Sequence, residues 1–428
     1  MAAVTYSPSN IAGRVHIPPS KSAAHRALLC AALCEDACAV SPIDSSADML
    51  ATLNGIRAMG RTVDFSDGTV RTGCGEKTEE VTVDCGESGS TLRFLIPIFA
   101  AMGISATFIG HGRLPERPIG IYTELLPQHG AAVETAGGLP FTVRGRLQSG
   151  EYRLPGNVSS QFITGLLFAL PLLSGDSSVT LTTTPESEGY IDLTVKVLHD
   201  FGVDVQRTET GWFVPGNQKY RARRYTVEGD WSQAAFYLSL AAVSGGPIEL
   251  CGLSASSVQG DKACAALWER FGLMISEESG VLKAYNPNVG KPFRGLRGIS
   301  VDASQIPDLV PALAATAAFA EGETVIYNAA RLRIKESDRL NAMEKALCAF
   351  GADVVSKPDG LVIRGKEHLC GGKADGQNDH RIVMALSAVG CDCTVTVTDA
   401  ESINKSYPGF FRDLRAIGGA ADVIDMGQ

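Results

Sequence analysis

At 428 residues the chain has the length of two or three domains, and 45% apolar residues, 20% charged residues and 46 glycines mark an ordered α/β protein, neither disordered nor fibrous. A formal net charge of -9 argues against a nucleic-acid partner, because phosphate-backbone binders carry a basic excess. The opening Met1-Ala2-Ala3-Val4-Thr5-Tyr6-Ser7-Pro8 has neither the charged nor the apolar region of a secretory leader, so a cytoplasmic protein is expected.

In chain order, residues 14–17 read as a strand, 22–34 as an apolar helix, and 47–59 as a second helix stopped by Gly60. The pattern then repeats. First helices are expected at 91–102, 161–174, 233–244, 308–321 and 380–389, each rich in Ala, Leu and Phe over most of its surface and therefore buried nearly all round. Second helices are expected at 119–129, 190–201, 261–271, 337–350 and 410–417, each with one polar face. Short alternating segments such as 81–83, 203–205 and 395–397 supply strands. Helix-stop glycines recur at Gly60, Gly130, Gly202, Gly272, Gly351 and Gly418, and a second series of helix ends falls at or near Asp36, Gly103, Gly175, Gly245, Gly322 and Gly390. Both series advance by roughly 70 residues per step, the signature of one folded unit used six times. The polar stretch 216–224 reads as a linker between the third and fourth units.

The longest apolar stretch, residues 162–173, is too short to cross a bilayer and contains Thr164, Gly165 and Pro171, so it is a core helix and no membrane partner is expected. Cys30, Cys34 and Cys38, spaced by four, read as small buried thiols, and no Cys-x-x-Cys pair offers a metal site.

Unusual residues gather at the helix starts. Ser20 reads as an N-cap, with Lys21, Ser22 and Arg26 over the first turns, where unpaired N–H groups and the helix dipole favour an anion. An ordinary capped helix with a solvated basic turn would carry the same residues. Gly86-Glu87-Ser88-Gly89-Ser90 offers close backbone approach to another helix start, and Ser159, Ser160 and Gln161 place three hydrogen-bonding side chains in a row. Arg117 precedes Pro118, and Lys405 precedes Ser406-Tyr407-Pro408. The densest constellation alternates Arg333, Lys335, Glu336 and Arg339 at a loop-to-helix junction, which fits anion binding beside a carboxyl group able to move a proton, though a capped helix start with its own ion pairs has the same composition. Asp308 and the run Asn378-Asp379-His380-Arg381 begin two of the buried helices.

These motifs resemble the enolpyruvyl transferases along nearly the whole chain. The resemblance is carried by Pro19-Ser20-Lys21-Ser22 with Arg26, Ser88-Gly89-Ser90 with Arg93, Glu116-Arg117-Pro118-Ile119, Val158-Ser159-Ser160-Gln161-Phe162, Tyr190-Ile191-Asp192, Val227-Glu228-Gly229-Asp230, Ile306-Pro307-Asp308, Lys335-Glu336-Ser337-Asp338-Arg339, Asn378-Asp379-His380-Arg381 and Lys405. It implies a two-domain inside-out α/β barrel of six βαβαββ repeats, three per domain, with residues 14–225 in one domain and 226–428 plus 1–13 in the other. It further implies transfer of an enolpyruvyl group from phosphoenolpyruvate to the 5-hydroxyl of 3-phosphoshikimate, on the route to chorismate and aromatic amino acids, by a monomer without metal or organic cofactor. By position, Lys21, Ser22, Arg26, Ser159, Ser160, Gln161, Ser187, Asp308, Arg331 and Lys335 are implied to bind 3-phosphoshikimate. Lys21, Gly89, Arg117, Gln161, Arg339, Arg381 and Lys405 are implied to bind phosphoenolpyruvate. Asp308 is the implied proton acceptor and Glu336 the implied proton donor, with Lys21 near both substrates. Glu87 and Arg331 stand where asparagines are common in the family. A sister activity on UDP-N-acetylglucosamine fits less well, because its lysine is followed by asparagine where this chain has Ser22. A non-catalytic anion-binding protein leaves Asp308 and Glu336 without a use.

Overall fold

The computed structural model describes residues 2–76 and 78–425. Strand β1 (Ala2–Ser7) opens the chain, and six copies of one unit follow. The first holds β2 (Gly13–His16), α1 (Lys21–Leu33), β3 (Cys38–Ser41), α2 (Ala47–Ala58), β4 (Arg61–Ser66) and β5 (Thr69–Cys74). In the second are β6 (Glu80–Asp84), α3 (Gly89–Met102), β7 (Ser105–Ile109), α4 (Gly120–Gln128), β8 (Ala131–Thr135) and β9 (Phe141–Gly145). The third has β10 (Glu151–Leu154), α5 (Ser160–Ala169), β11 (Ser177–Leu181), α6 (Glu188–Asp200), β12 (Gln206–Arg207) and β13 (Gly211–Val214). The fourth has β14 (Arg224–Thr226), α7 (Trp231–Ser244), β15 (Ile248–Cys251), α8 (Cys264–Phe271), β16 (Met274–Glu278) and β17 (Val281–Tyr285). Next come β18 (Ser300–Asp302), α9 (Val310–Ala317), β19 (Glu323–Tyr327), α10 (Arg339–Ala349), β20 (Asp353–Lys357) and β21 (Gly360–Arg364). The sixth has β22 (Gly372–Ala374), α11 (His380–Ala385), α12 (Ser387–Gly390), β23 (Val395–Thr398), α13 (Phe410–Ala416) and β24 (Ala420–Asp425).

Each unit builds a four-stranded sheet. In the second, β6 and β7 are parallel across the α3 crossover, while β9 and then β8 add antiparallel. The sixth is completed by β1, which lies antiparallel between β23 and β24. The first and fourth exchange their leading strands: β14 pairs in parallel with β3, and β2 with β15. This exchange sets the division of the chain. One compact body is Pro19–Val227 and the other holds the described residues on either side of it. Residues 14–18 thus group with the fourth to sixth repeats, five residues beyond the boundary expected from sequence.

The stretch 216–224 is not a linker. Gln218 N–H donates to the Pro171 carbonyl at 2.9 Å, Arg221 N–H to the Phe201 carbonyl at 2.8 Å, and the Tyr220 hydroxyl to the Phe168 carbonyl at 2.7 Å. Its side chains fold back as well, Asn217 Nδ2 donating to the Ser174 carbonyl and Gln218 Nε2 to the Asp204 and Pro215 carbonyls, so the stretch closes the ends of the third repeat. The chain crosses to the other body after β14.

All six helix-stop glycines are left-handed, with φ between 77° and 119°, a region costly for any residue with a Cβ. The first helices are buried as expected: eleven residues of α1, thirteen of α7 and all eight of α9. Proline accounts for two departures from the expected spans. Pro171 turns the end of α5 into a 3₁₀ turn, and Pro307 opens a 3₁₀ turn ahead of α9. Each body has its own apolar core, around Leu28, Phe94 and Phe168 in one and Phe236, Leu313 and Met384 in the other. All eleven cysteines are free, with Cys30, Cys34 and Cys38 buried. Among the described residues no helix is long and apolar enough to cross a membrane.

Candidate active site

In the body Pro19–Val227, polar residues cluster at the N-terminal ends of the buried helices. Ser20 caps α1 by accepting from Ala23 N–H at 3.3 Å, which places Lys21 on the first turn, where its Nζ lies 2.6 Å from Asp48 Oδ2. Ser88 caps α3 through Thr91 N–H, and Ser159 caps α5 through Gln161 N–H. Gly89 begins α3 directly beneath two guanidiniums: a Cβ there would lie 2.8 Å from Arg93 Nη1 and 2.9 Å from Arg117 Cζ. Arg93 Nη1 donates to Gln161 Oε1 at 2.7 Å, and its Nη2 to the Pro118 carbonyl at 2.7 Å. The Gln161 amide is oriented by this contact, its Nε2 donating to Ser90 Oγ at 3.0 Å. Gly89, Arg117 and Gln161 are therefore drawn together around Arg93 and the start of α3, while Lys21 stands at the start of α1 against Asp48 of α2.

Arg26 lies deeper, 3% exposed, and donates to the Ser22 carbonyl, the Tyr190 carbonyl and Thr194 Oγ1 at 2.8–2.9 Å. Burial pulls its guanidinium down to about 10. It ties Ser22 to the start of α6, where the buried Ser187 stands in a left-handed conformation with φ 55°. Ser160, also buried, is the first residue of α5. Glu87 packs its carboxylate over Gly112, in the loop leading to Arg117.

In the other body the predicted residues meet on one side chain. Arg339, the first residue of α10 and 1% exposed, donates from Nε to Asp379 Oδ2 at 2.8 Å, from Nη1 to Asp308 Oδ1 at 3.0 Å and from Nη2 to Glu336 Oε2 at 2.7 Å. A guanidinium is the one side chain with donors enough for three carboxylates in a plane. Arg381 Nη2 reaches Asp308 Oδ2 at 3.0 Å, and Lys335 Nζ stands 3.6 Å from Asp308 Oδ1. Burial opposes ionisation of Asp308, but Arg381, Lys335 and Arg339 outweigh it and hold the carboxyl well below its usual range. Burial likewise opposes charge on Arg339, and Asp379, Glu336 and Asp308 keep it firmly protonated. Asp379, wholly buried, also caps α11 through Arg381 N–H and accepts from Ser337 Oγ at 2.9 Å. Lys405 Nζ donates to the neighbouring Asn378 carbonyl at 2.7 Å, and Arg331 Nη2 to the Ser304 carbonyl at 2.6 Å.

Arg333 departs from its expected place beside Lys335 and Glu336. It pairs with Asp338 at 2.9 Å and donates to Ser356 Oγ and the Pro358 carbonyl, bracing the β20–β21 hairpin instead. Residues without an assigned role from sequence also belong to these arrays, among them Arg93 and Asp379, each carried only within a motif, and Asp48, an acid in the first turn of α2.

Six βαβαββ units thus carry cationic and hydroxyl-bearing helix starts, with a carboxylate–arginine array in one body. The model of the family described as EPSP synthase (3-phosphoshikimate 1-carboxyvinyltransferase) matches residues 5–414, and the chain belongs to that family. It is 43% identical to the 3-phosphoshikimate 1-carboxyvinyltransferases of Clostridium kluyveri and Clostridium acetobutylicum, over 100% of this chain and of each relative. The solved EPSP synthase of Acinetobacter baumannii superposes with a TM-score of 0.83 at 26% identity, covering 99% of this chain and 100% of that one.

Proposed function

We infer that this chain transfers the enolpyruvyl group of phosphoenolpyruvate to the 5-hydroxyl of 3-phosphoshikimate, giving 5-enolpyruvylshikimate 3-phosphate and inorganic phosphate. Its full-length relatives carry the name of that activity. The observation that carries the chemistry is the hub on Arg339, which holds Asp308 and Glu336 on its two Nη groups at 3.0 and 2.7 Å.

In this reading Glu336, which takes up a proton from solvent as the anionic substrates draw Arg339 away from it, gives that proton to the methylene carbon of phosphoenolpyruvate, and the adjoining carbon acquires oxocarbenium character. The 5-hydroxyl oxygen then bonds to that carbon while Asp308 takes the hydroxyl proton. Collapse of the tetrahedral adduct breaks the carbon–oxygen bond to phosphate, returns a methyl proton to Glu336 and passes the proton on Asp308 to the leaving phosphate. A carboxylate held as low as Asp308 is a weak base. Two bound substrates bring about six negative charges, and sharing Arg381, Lys335 and Arg339 with them raises the proton affinity of Asp308.

Lys21, Ser22, Arg26, Ser159, Ser160, Gln161, Ser187, Arg331 and Lys335 are assigned to 3-phosphoshikimate with Asp308. Lys21, Gly89, Arg117, Gln161, Arg339, Arg381 and Lys405 are assigned to phosphoenolpyruvate. For the latter set, support comes from Gly89 lying under the Arg117 head and from the amide of Gln161 being fixed as a donor. Both substrates are phosphorylated and do not cross membranes unaided, which supports a cytoplasmic enzyme; it is read as a monomer.

The test is phosphate release from phosphoenolpyruvate with 3-phosphoshikimate, with UDP-N-acetylglucosamine and with no acceptor. Release with 3-phosphoshikimate alone is expected. Release with the nucleotide sugar would transfer the chain to the sister activity, and none with either would leave an anion-binding protein.

A further inference from the structure

Helix α2 supplies no residue to the roles above, yet it joins two of the helix starts that do. Asp48, in its first turn, sets Oδ2 2.6 Å from Lys21 Nζ, with the two side chains only 12% and 17% exposed. One turn on, the wholly buried Thr52 places Oγ1 2.8 Å from His25 Nδ1 and 2.7 Å from Thr91 Oγ1, and the same Oγ1 lies 3.2 Å from the Asp48 carbonyl. Thr91 Oγ1 donates to Ser88 Oγ, the cap of α3 just before Gly89, at 2.8 Å. His25 is neutral, since burial and the nearby Lys21 and Arg26 push its imidazole well below the usual value. Its Nε2 has no partner among the described residues. An unpartnered ring acceptor costs less than an unpartnered N–H, so the proton sits on Nδ1 and is donated to Thr52. The first turns of α1 and α3 are thus fastened to one face of α2 by a salt bridge and a line of hydroxyls.

We propose that Asp48 is a positioning residue for the transfer reaction, holding the Lys21 ammonium in the place from which it serves both substrates. The inference rests on the role assigned to Lys21. A lysine is a point charge on a flexible four-carbon stem, and a fixed carboxylate partner is what confines it. Asp48 cannot itself attract phosphoenolpyruvate or 3-phosphoshikimate, because its carboxylate repels both. It acts through Lys21, opposing ground-state binding while fixing the cation for the reaction.

The opposition separates positioning from simple bracing of the fold. Asp48→Asn removes a negative charge beside two anionic substrates, so KM for phosphoenolpyruvate is expected to stay level or fall. A loosened ammonium is expected to lower kcat by about 10²-fold. Damage to the fold would instead raise KM and lower the melting temperature together. The experiment measures phosphate release and thermal melting for the full chain and its D48N, D48E, K21M and D48N/K21M variants.

D48N is expected to keep a cooperative melt, lowered by the lost ion pair, and to lose kcat without a rise in KM, D48E to recover part of the loss, and D48N to add nothing to K21M. Parental kcat in D48N, or losses that multiply in the double variant, would overturn the proposal. Should D48N not melt cooperatively, D48E is read by the same criterion, a lowered kcat at unraised KM supporting the proposal and parental kcat overturning it. K21M with full turnover would remove Lys21 from the mechanism and this inference with it, whereas an impaired K21M beside a fully active D48N removes the inference alone.

Discussion

Replacing Arg339 by methionine withdraws one positive charge from among three carboxylates while keeping most of the apolar stem. The three are not left equal. Asp308 keeps Arg381 at 3.0 Å and Lys335 at 3.6 Å, and Glu336 remains 17% exposed to water. Asp379 is wholly buried and loses the guanidinium that contacts it at 2.8 Å, keeping the Ser337 hydroxyl and the Arg381 N–H. One buried charge is therefore orphaned, at a cost of about 3–5 kcal/mol, because stripping one partner from a buried pair exposes the full desolvation penalty of the other. For a body of this size that lowers Tm by roughly 6–20 °C.

The pH dependence carries the sharper signature. In the parent, Asp308 and Asp379 titrate below the ordinary carboxylate value, so their contribution to stability is present above that value and is lost as pH falls through the folded-state values. In R339M, burial acts on Asp379 with its main opponent gone, so its folded-state value rises above the ordinary one. Protonation then relieves strain, and the variant is expected to recover stability relative to the parent as pH is lowered from 7 to 5. Calorimetric melting of both proteins at the two pH values measures this. A variant that melts within about 1 kcal/mol of the parent, or whose deficit is the same at both pH values, would refute the hub.

Gly89→Ala is expected to fold, since the atoms its Cβ would press on, at 2.8–2.9 Å, are the guanidinium ends of Arg93 and Arg117 and not backbone. Displacing those heads is expected to raise KM for phosphoenolpyruvate by about tenfold, read from initial rates at saturating 3-phosphoshikimate. Gly322 has φ +84° and nothing within 4 Å of where a Cβ would stand, so Gly322→Ala isolates the left-handed backbone penalty, about 1–2 kcal/mol by denaturant melting. Gly290, equally open but without positive φ, is expected to accept alanine with no loss of stability.

The sixfold rhythm is legible in the sequence because a left-handed helix stop selects glycine almost regardless of its surroundings. The buried first helices are legible too, because Ala, Leu and Phe all round leave no face for water. The exchange of leading strands is not: Gly13–His16 carries no mark of its partner, and β15 lies more than two hundred residues further on. Candidate residues such as Lys21, Gly89 and Arg381 stand out because each sits at the start of a buried helix, where charge or open backbone has no place in ordinary packing. Arg333 and Arg339 cannot be told apart by composition. Arg333 precedes the Asp338 cap and folds onto the 356–358 turn, whereas Arg339 follows it and points into the carboxylates. Asp48 stays hidden because an acid in a helix's first turn is what the dipole favours anywhere, and only the distance to Lys21 sets it apart.

In the proposed reaction a proton passes from Glu336 to the methylene carbon of phosphoenolpyruvate and a proton from the resulting methyl group returns. Running the reaction in deuterium oxide and examining the vinyl group of the product by NMR tests it directly. Deuterium in the vinyl CH₂ is expected, because a methyl group formed with solvent deuterium loses any one of its three hydrogens on elimination. A product formed at full rate with no deuterium at that carbon would contradict the account.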